Sequence, residues 1–451
     1  MLWSLVMGDI VNAATRRLLA DRLGERRRSF LAKARSEGRL VDIETQRTWA
    51  ASEVQKVVTD AAIAEEISVD AAQLKDLHRQ ILDSAFAGAR LLRAYETVPE
   101  ALNMTVSGTQ PVIYEMPDGS TRVGDPVADS DDELYHQVRE MASMRGIEEK
   151  QWDPLNPELG LTLRDGGRLT AVRWVTETGT FVTIRRHTLA TVTLGDLVGN
   201  GTITPKMLTF LRAAVASGAR ILIAGTMNSG KTTMMRAMAA ELRGGARNIV
   251  TVESEAELLL HRHPEVYGQN VHAMTARRAN SEAKGAISLE ALIVIAQRMS
   301  PWWMLIGEIR GPEVTAAMTG LQQGYPVMST IHGHDPIGAI TTLAHYYQRF
   351  GDNVSWEASI ALCAANIDVV VHVGIDHDGR RAVKGIAWIV GIAEDRRTVA
   401  AELMWRPEGS GPGKWQHTAK LPPEAAQRLA SYGFNPLLGD HDAAMLNGRL
   451  R

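Results

Sequence analysis

The first hundred residues carry apolar positions at a helical spacing. Leu, Ala, Arg and Glu dominate this stretch. The apolar residues recur at steps of three and four, as shown by Leu74, Leu77, Ile81, Leu82 and Phe86. This spacing gathers the apolar side chains on one face of a helix. The pattern therefore predicts a helical N-terminal extension over residues 1–102.

From about residue 103 the apolar positions form short runs that turn residues separate. The runs 161–163 and 168–172 flank Asp165, Gly166 and Gly167, which predicts a β-hairpin. Further strands are predicted at 112–116 and 180–185, and a helix is predicted over 132–145. Together these elements indicate a small α/β domain over residues 103–198.

The remainder of the chain alternates apolar strands with helical stretches. This alternation is typical of a mostly parallel sheet covered by helices. We predict a linker near 188–204, an α/β domain over residues 199–400 and a loosely packed C-terminal tail over 401–451. The tail prediction rests on the Pro and Gly residues at 407–413.

Composition narrows the class of protein. At roughly 100–200 residues per domain, a chain of 451 residues favours two or three domains. The net charge of −3 argues against a protein that wraps DNA, so no stable nucleic-acid binding is expected. The single cysteine, Cys363, excludes a disulfide framework and fits a reducing, cytosolic compartment. The apolar runs fall short of the ~20 residues that span a bilayer.

One segment matches the complete P-loop pattern G-x-x-x-x-G-K-[ST]. Its residues are Gly225, Thr226, Met227, Asn228, Ser229, Gly230, Lys231 and Thr232. The glycines let backbone N–H groups turn toward phosphate oxygens, and the following helix offers its positive N-terminal end. Lys231 has the length to reach the β- and γ-phosphates, and the Thr232 hydroxyl suits Mg²⁺. An apolar strand before the loop and a helix after it complete the context of a domain that binds ATP and Mg²⁺.

Two further apolar strands end in glutamates. One run leads to Glu253 and the other to Glu308. Because ligands lie beyond the carboxyl ends of strands in open parallel sheets, both glutamates are expected to face the nucleotide. One would hold Mg²⁺ or its water shell and the other would orient the attacking water, so the pair favours hydrolysis.

Four segments in order resemble the traffic ATPases of type II and type IV secretion systems, and most of all their Tad/Flp-pilus and conjugation branch. The P-loop is the first segment. Residues 249–254 resemble the acidic box of that family, residues 306–311 its Walker B segment, and residues 324–332 its histidine box. Two N-terminal segments, around Arg168 and Arg185, resemble those that bring arginines to the nucleotide in the family.

The resemblance implies a role for each matched residue. The implied catalytic residues are Glu253, Glu308, His332 and Arg310. The implied ATP-binding residues are those of the P-loop together with Thr233, Arg168 and Arg185. The implied Mg²⁺ ligands are Thr232 and Glu308.

The resemblance also implies an architecture and a cellular role. The expected fold is a RecA-like P-loop motor domain preceded by a small PAS-like α/β domain and the helical extension. The expected protein is a hexameric ATPase that powers pilus assembly or secretion. It would lie in the cytoplasm at the inner face of the cell membrane, against an inner-membrane platform protein.

Two residues depart from the family pattern. Ser254 stands where the family usually has Asp, and Tyr325 stands where the first histidine of the histidine box lies. Because of these departures, a ring component that hydrolyses ATP weakly and acts mainly as structure stays open as an alternative. A RecA-like nucleic-acid motor is a second alternative.

Overall fold

The computed structural model describes fifteen stretches of the chain. They are residues 13–37, 43–64, 67, 74–75, 77–78, 81–82, 88–143, 152–163, 165–186, 191–242, 247–277, 285–376, 379–406, 414–416 and 420–439. The chain forms two compact units, unit 1 (Met1–Arg186) and unit 2 (His187–Arg451). The finer division of the chain at residues 102, 198 and 400 stays a prediction.

Unit 1 begins with helices, as the sequence predicts. They are α1 (Ala13–Ser36), α2 (Ile43–Ile63) and α3 (Gly88–Thr97). A small apolar core joins α1 and α2, and the predicted helix-face residues Leu77 and Ile81 are buried in it. Phe86 lies outside the described residues.

Within the described residues, the rest of unit 1 is an antiparallel sheet with one helix, α4 (Asp131–Ser143). Its strands are β1 (Asn103–Ser107), β2 (Pro111–Glu115), β3 (Thr121–Pro126), β4 (Glu158–Thr162), β5 (Arg168–Val172) and β6 (Phe181–Arg185). The strand order is β3-β2-β1-β6-β5-β4. The predicted hairpin is confirmed, because β4 and β5 pair from Glu158↔Val172 to Thr162↔Arg168. Alternating residues of β1, β2, β4, β5 and β6 are buried in one core, to which β3 contributes no buried residue.

The residues of unit 2 that the structure describes form a sheet of nine strands. They are β7 (Ile221–Ala224), β8 (Ile249–Glu253), β9 (Val271–Thr275), β10 (Trp303–Ile306), β11 (Val327–Ile331), β12 (Val369–Ile375), β13 (Arg381–Ile392), β14 (Val399–Arg406) and β15 (Lys414–Trp415). The order is β15-β14-β13-β12-β7-β11-β10-β8-β9. The strands from β12 to β9 pair in parallel, and β13 to β15 add an antiparallel edge. The predicted mostly parallel sheet and the α/β class are confirmed.

Helices cover both faces of this sheet. They are α5 (Leu194–Gly199), α6 (Pro205–Ala216), α7 (Lys231–Ala239), α8 (Pro264–Tyr267), α9 (Leu289–Gln297), α10 (Glu313–Gln322), α11 (Pro336–Phe350), α12 (Trp356–Asn366) and α13 (Pro423–Ala430). Two separate apolar cores result, one on each face of the sheet. The strands β7, β8, β10 and β11 are buried along their whole length, which explains their continuous apolar sequence.

Two features differ from the sequence prediction. The linker predicted near 188–204 contains the helix α5, whose capping box pairs Thr193 with Asp196 and whose Leu194 is buried. The tail was predicted to be loosely packed, and this is wrong for its described part. Trp415 and Phe434 pack against Phe210 with ring centroids 5.5 and 5.2 Å away. The Pro and Gly residues at 407–413, which suggested a loose tail, lie outside the described residues.

The described part of the chain contains no helix that is both long enough and apolar enough to cross a membrane.

Candidate functional site

The P-loop connects β7 to α7 in unit 2. A Cβ atom at Gly225 would lie 2.4 Å from the Val373 carbonyl oxygen, so only glycine fits there. Gly230 and Asn228 have positive φ angles of 97° and 59°, which turn the backbone sharply before the helix. Such a turn directs backbone N–H groups inward at a helix N-terminus, where they attract phosphate. The loop is held from outside by Arg381, whose Nε donates to the Asn228 carbonyl at 3.1 Å.

Lys231, the first residue of α7, folds back over the loop. Its ammonium donates to the carbonyl oxygens of Gly225 and Thr226 at 3.1 and 2.9 Å. Burial lowers the pKa of Lys231, while the nearby carboxylates of Glu308 and Glu257 act in the opposite direction. The ammonium thus lies between the loop and two acidic residues, where a phosphate group would find a positive charge.

A carboxylate that the sequence analysis did not select lies beside the P-loop threonine. The Thr232 hydroxyl donates to Glu257 Oε2 at 3.4 Å. The backbone of Glu257 is fixed on both sides, because its N–H donates to Glu253 Oε2 at 2.9 Å and its carbonyl accepts from the Arg236 guanidinium. The sequence signal for Glu257 was its place four residues after Glu253, the glutamate that ends β8.

Glu253, expected to face the nucleotide, is only 3% exposed. Its Oε2 accepts hydrogen bonds from the backbone N–H groups of Glu257 and Leu258 at 2.9 and 2.8 Å. Burial raises the pKa of Glu253 to about 7, against the effect of those two hydrogen bonds. The contacts of Glu253 thus position the segment that carries Glu257. A direct catalytic role for Glu253 stays a prediction.

The raised pKa of Glu253 predicts a pH-dependent stability. Between its ordinary value of 4.5 and about 7, the folded protein retains a proton that the unfolded chain releases. The free energy of unfolding therefore falls as the pH rises through this range. Between about pH 5 and 8, we expect the free energy of unfolding of the wild-type protein to fall by up to about 3 kcal/mol more than that of Glu253→Gln. Urea unfolding at several pH values measures this, and parallel pH profiles for the two proteins would contradict it.

Glu308 follows β10 and forms a second polar group at the same edge of the sheet. Its Oε1 lies 3.1 Å from His332 Nε2, and its Oε2 lies 3.8 Å from an Arg310 Nη1. The loop is held in place because Glu313 Oε1 accepts from the N–H groups of Arg310 and Gly311 at 2.7 and 2.9 Å. The structure thus brings Glu308, His332 and Arg310 together, and their catalytic roles stay a prediction.

The structure also shows where the two residues that depart from the family pattern lie. The Tyr325 hydroxyl donates to the Gln297 carbonyl at 3.2 Å, so it links the end of α9 to the strand β11. Ser254 follows Glu253 directly, in the segment whose carboxylate beside the P-loop comes from Glu257.

The two arginines of unit 1 are direct neighbours across two strands. Arg168 begins β5 and Arg185 ends β6, and the pairing register places them opposite each other. Leu169 and Ile184 are buried, so the arginines lie on the other face of the sheet.

The residues around the P-loop fit a magnesium ion. Thr232, Glu257 and Glu308 offer only oxygen atoms, which Mg²⁺ prefers over nitrogen or sulfur. The described residues contain no group of three or more His, Cys, Asp or Glu side chains suited to a metal. Mg²⁺ is usually held by one or two carboxylates, water and substrate phosphates.

Comparisons of this chain with known proteins find a matching family model and several similar proteins. The family model described as type II/IV secretion system protein matches residues 122–365, which is more than half of the chain. A conjugal transfer protein of Mycobacterium tuberculosis is 32% identical over 228 residues. The type IV secretion system protein VirB11 of Brucella suis is 30% identical over 254 residues, and the match covers 49% of this chain and 68% of that protein.

The match to the mycobacterial relative covers 50% of this chain and 61% of that protein. Among solved structures, the VirB11 ATPase of Brucella suis has a TM-score of 0.36 and 23% identity, with 67% of this chain and 94% of that chain covered. The Legionella pneumophila ATPase DotB has a TM-score of 0.48 and 17% identity, with 68% and 81% covered.

Proposed function

Because the chain belongs to the type II/IV secretion system protein family, we propose that it is an ATP-hydrolysing motor of a secretion, conjugation or pilus system. The observation that carries this proposal is the pairing of a complete P-loop with Glu308, which lies 3.1 Å from His332 at the same sheet edge. Its relatives include proteins named for conjugal transfer and type IV secretion. The Tad/Flp branch is the finer assignment that we propose from the sequence motifs.

In the proposed mechanism, the P-loop binds the phosphates of ATP. The backbone N–H groups of the loop and the N-terminus of α7 surround phosphate oxygens. Lys231 neutralises charge on the β- and γ-phosphates. The P-loop residues 225–232, with Thr233 in the first turn of α7, form this part of the site.

Hydrolysis in this proposal depends on Glu308. Its carboxylate orients the attacking water and accepts its proton, while His332 and Arg310 hold the carboxylate in place. Thr232, Glu308 and Glu257 would hold Mg²⁺, which supplies charge neutralisation at the phosphates when it is bound. Arg168 and Arg185 would contact phosphate in this proposal.

The test of this proposal is an ATPase assay of the purified chain, with and without single-stranded DNA. Magnesium-dependent turnover that DNA does not change would support the secretion or pilus motor. Stimulation by DNA would favour the nucleic-acid motor instead. Binding of ATP without turnover would select the structural ring component and overturn the proposal.

Glu257 is expected to assist Mg²⁺ binding. Because its carboxylate lies 3.4 Å from the Thr232 hydroxyl, Glu257→Gln would remove a negative charge from the metal site. We expect the Mg²⁺ concentration for half-maximal turnover to rise about tenfold. Glu265→Gln is the control, because Glu265 is an exposed carboxylate of unit 2 paired with His263. Equal Mg²⁺ titrations for the two variants would contradict the role of Glu257.

The proposed assembly is a hexamer. Head-to-tail packing of subunits closes into a ring when the rotation between neighbours permits it. We expect ATP to raise the hexamer population, because a ligand that binds the closed arrangement stabilises it by mass action. Light scattering with and without a non-hydrolysable ATP analogue measures this. A monomer under both conditions at micromolar concentration would contradict the ring.

The proposed location is the cytoplasmic side of the inner membrane, with a platform protein of a secretion or pilus system as partner. Co-purification from membranes of a strain that carries and one that lacks the platform gene tests this. Membrane association that persists without the platform protein would contradict the proposed partner.

A further inference from the structure

A polar cluster in unit 1 lies next to both arginine-bearing strand ends. The Tyr95 hydroxyl, on α3, donates to Asp165 Oδ2 at 2.6 Å. The Arg186 guanidinium stacks over the Tyr95 ring, with its central carbon 3.8 Å from the ring centroid. Arg186 also forms an ion pair with Asp165 at 3.4 Å and donates to the Tyr95 carbonyl at 2.5 Å. These three side chains form what is called here the Tyr95 cluster.

The Tyr95 cluster fixes the turn between β4 and β5. Asp165 Oδ1 accepts from the Gly167 N–H at 2.9 Å, so one carboxylate joins the turn to Tyr95. A Cβ atom at Gly167 would lie only 2.3 Å from the Tyr95 hydroxyl oxygen. The turn therefore packs directly on the tyrosine. Burial raises the pKa of Tyr95 well above its usual range, so the hydroxyl keeps the proton that it donates to Asp165.

The Tyr95 cluster is joined to both arginines by neighbouring residues in the chain. Arg168 follows Gly167 directly, and Arg185 precedes Arg186 directly. Strand pairing places Arg168 and Arg185 opposite each other. One tyrosine thus fixes the residue before the first arginine and the residue after the second. Because Tyr95 is 4% exposed and belongs to the core of unit 1, it is a rigid anchor for both.

We propose that Tyr95 is a positioning residue for ATP, which acts by holding Arg168 and Arg185 in the register that binds phosphate. The proposal rests on the proposed function, in which these arginines contact the nucleotide. It gives α3, in the N-terminal part of the chain that the family motifs do not cover, a defined role. Charged groups bind an anion most tightly when their geometry is fixed in advance.

The test compares two tyrosine-to-phenylalanine variants in the full chain. Tyr95→Phe removes the hydrogen bond to Asp165. Tyr114→Phe is the matched control, because its buried hydroxyl donates to the neighbouring Ala94 carbonyl at 2.8 Å and does not contact the arginine-bearing turn. We expect Tyr95→Phe to raise the KM for ATP about fivefold with kcat within about twofold, and Tyr114→Phe to change neither.

The second arm asks whether Tyr95 acts through the arginines. In an Arg168→Ala background, Tyr95→Phe should raise KM by less than in the wild-type chain, since one of the two side chains that it positions is absent. Asp165→Ala, at a half-exposed side chain, should reproduce the effect of Tyr95→Phe without disturbing the core. Titration calorimetry with a non-hydrolysable ATP analogue should give the same ranking in Kd.

Three results would overturn the proposal: an unchanged KM in Tyr95→Phe, an equal change in Tyr114→Phe, or a full effect of Tyr95→Phe in the Arg168→Ala background. The failure of the proposed function is distinguishable from these. If Arg168→Ala and Arg185→Ala themselves leave the KM and Kd for nucleotide unchanged, the arginines do not contact ATP and the proposed function loses that step.

Discussion

Lys231→Ala is expected to abolish ATP turnover and leave the fold intact. The ammonium contacts the P-loop carbonyls of Gly225 and Thr226, so it lies where it can neutralise phosphate charge. Its loss removes the charge that balances the transferred phosphoryl group. Because a single preorganised donor in an active site is worth about 10²- to 10³-fold in rate, we expect a loss of at least that size.

The measurement is steady-state ATP hydrolysis together with thermal unfolding. Lys420→Ala is the control, because Lys420 is an exposed lysine of the same unit. Equal unfolding midpoints would show that Lys231→Ala affects chemistry rather than folding. Near wild-type turnover of Lys231→Ala would mean that nucleotide is not hydrolysed at this loop.

Glu308→Gln is expected to bind ATP and to lose turnover by a factor of about 10² or more. The amide keeps the size of the side chain and a contact to His332, but it does not accept a proton from the attacking water. Glu253→Gln tests whether the two glutamates at the strand ends have different roles. Because Glu253 is buried and bonded to the backbone of Glu257 and Leu258, its substitution should change stability more than chemistry.

Single-turnover hydrolysis and analogue binding, measured on both variants, test this difference. The expected ranking is a large rate loss in Glu308→Gln with unchanged binding, and a smaller rate loss in Glu253→Gln. The opposite ranking would assign the water-orienting role to Glu253, as the sequence equally allows.

Much of the site follows from short-range sequence. A P-loop is formed by consecutive residues, whose glycines and lysine act through local backbone geometry, so the motif alone predicted the loop at 225–232. The apolar runs likewise predicted β7, β8, β10 and β11, because strands buried on both faces have continuous apolar sequence.

Contacts between distant segments were decided by the tertiary structure. Glu253 and Glu308 have the same sequence pattern, yet burial makes one a backbone anchor and leaves the other beside His332. The packing of α7 against the segment after β8 brings Glu257 to Thr232.

The sequence by itself determined the nucleotide-binding loop, the α/β class and the family, because each depends on local periodicity or on consecutive residues. Only the tertiary structure placed Arg168 opposite Arg185 and Tyr95 against Asp165. It also placed the aromatic residues of the C-terminal segment against Phe210. These arrangements depend on strand register and on packing between residues far apart in the chain, which no local pattern encodes.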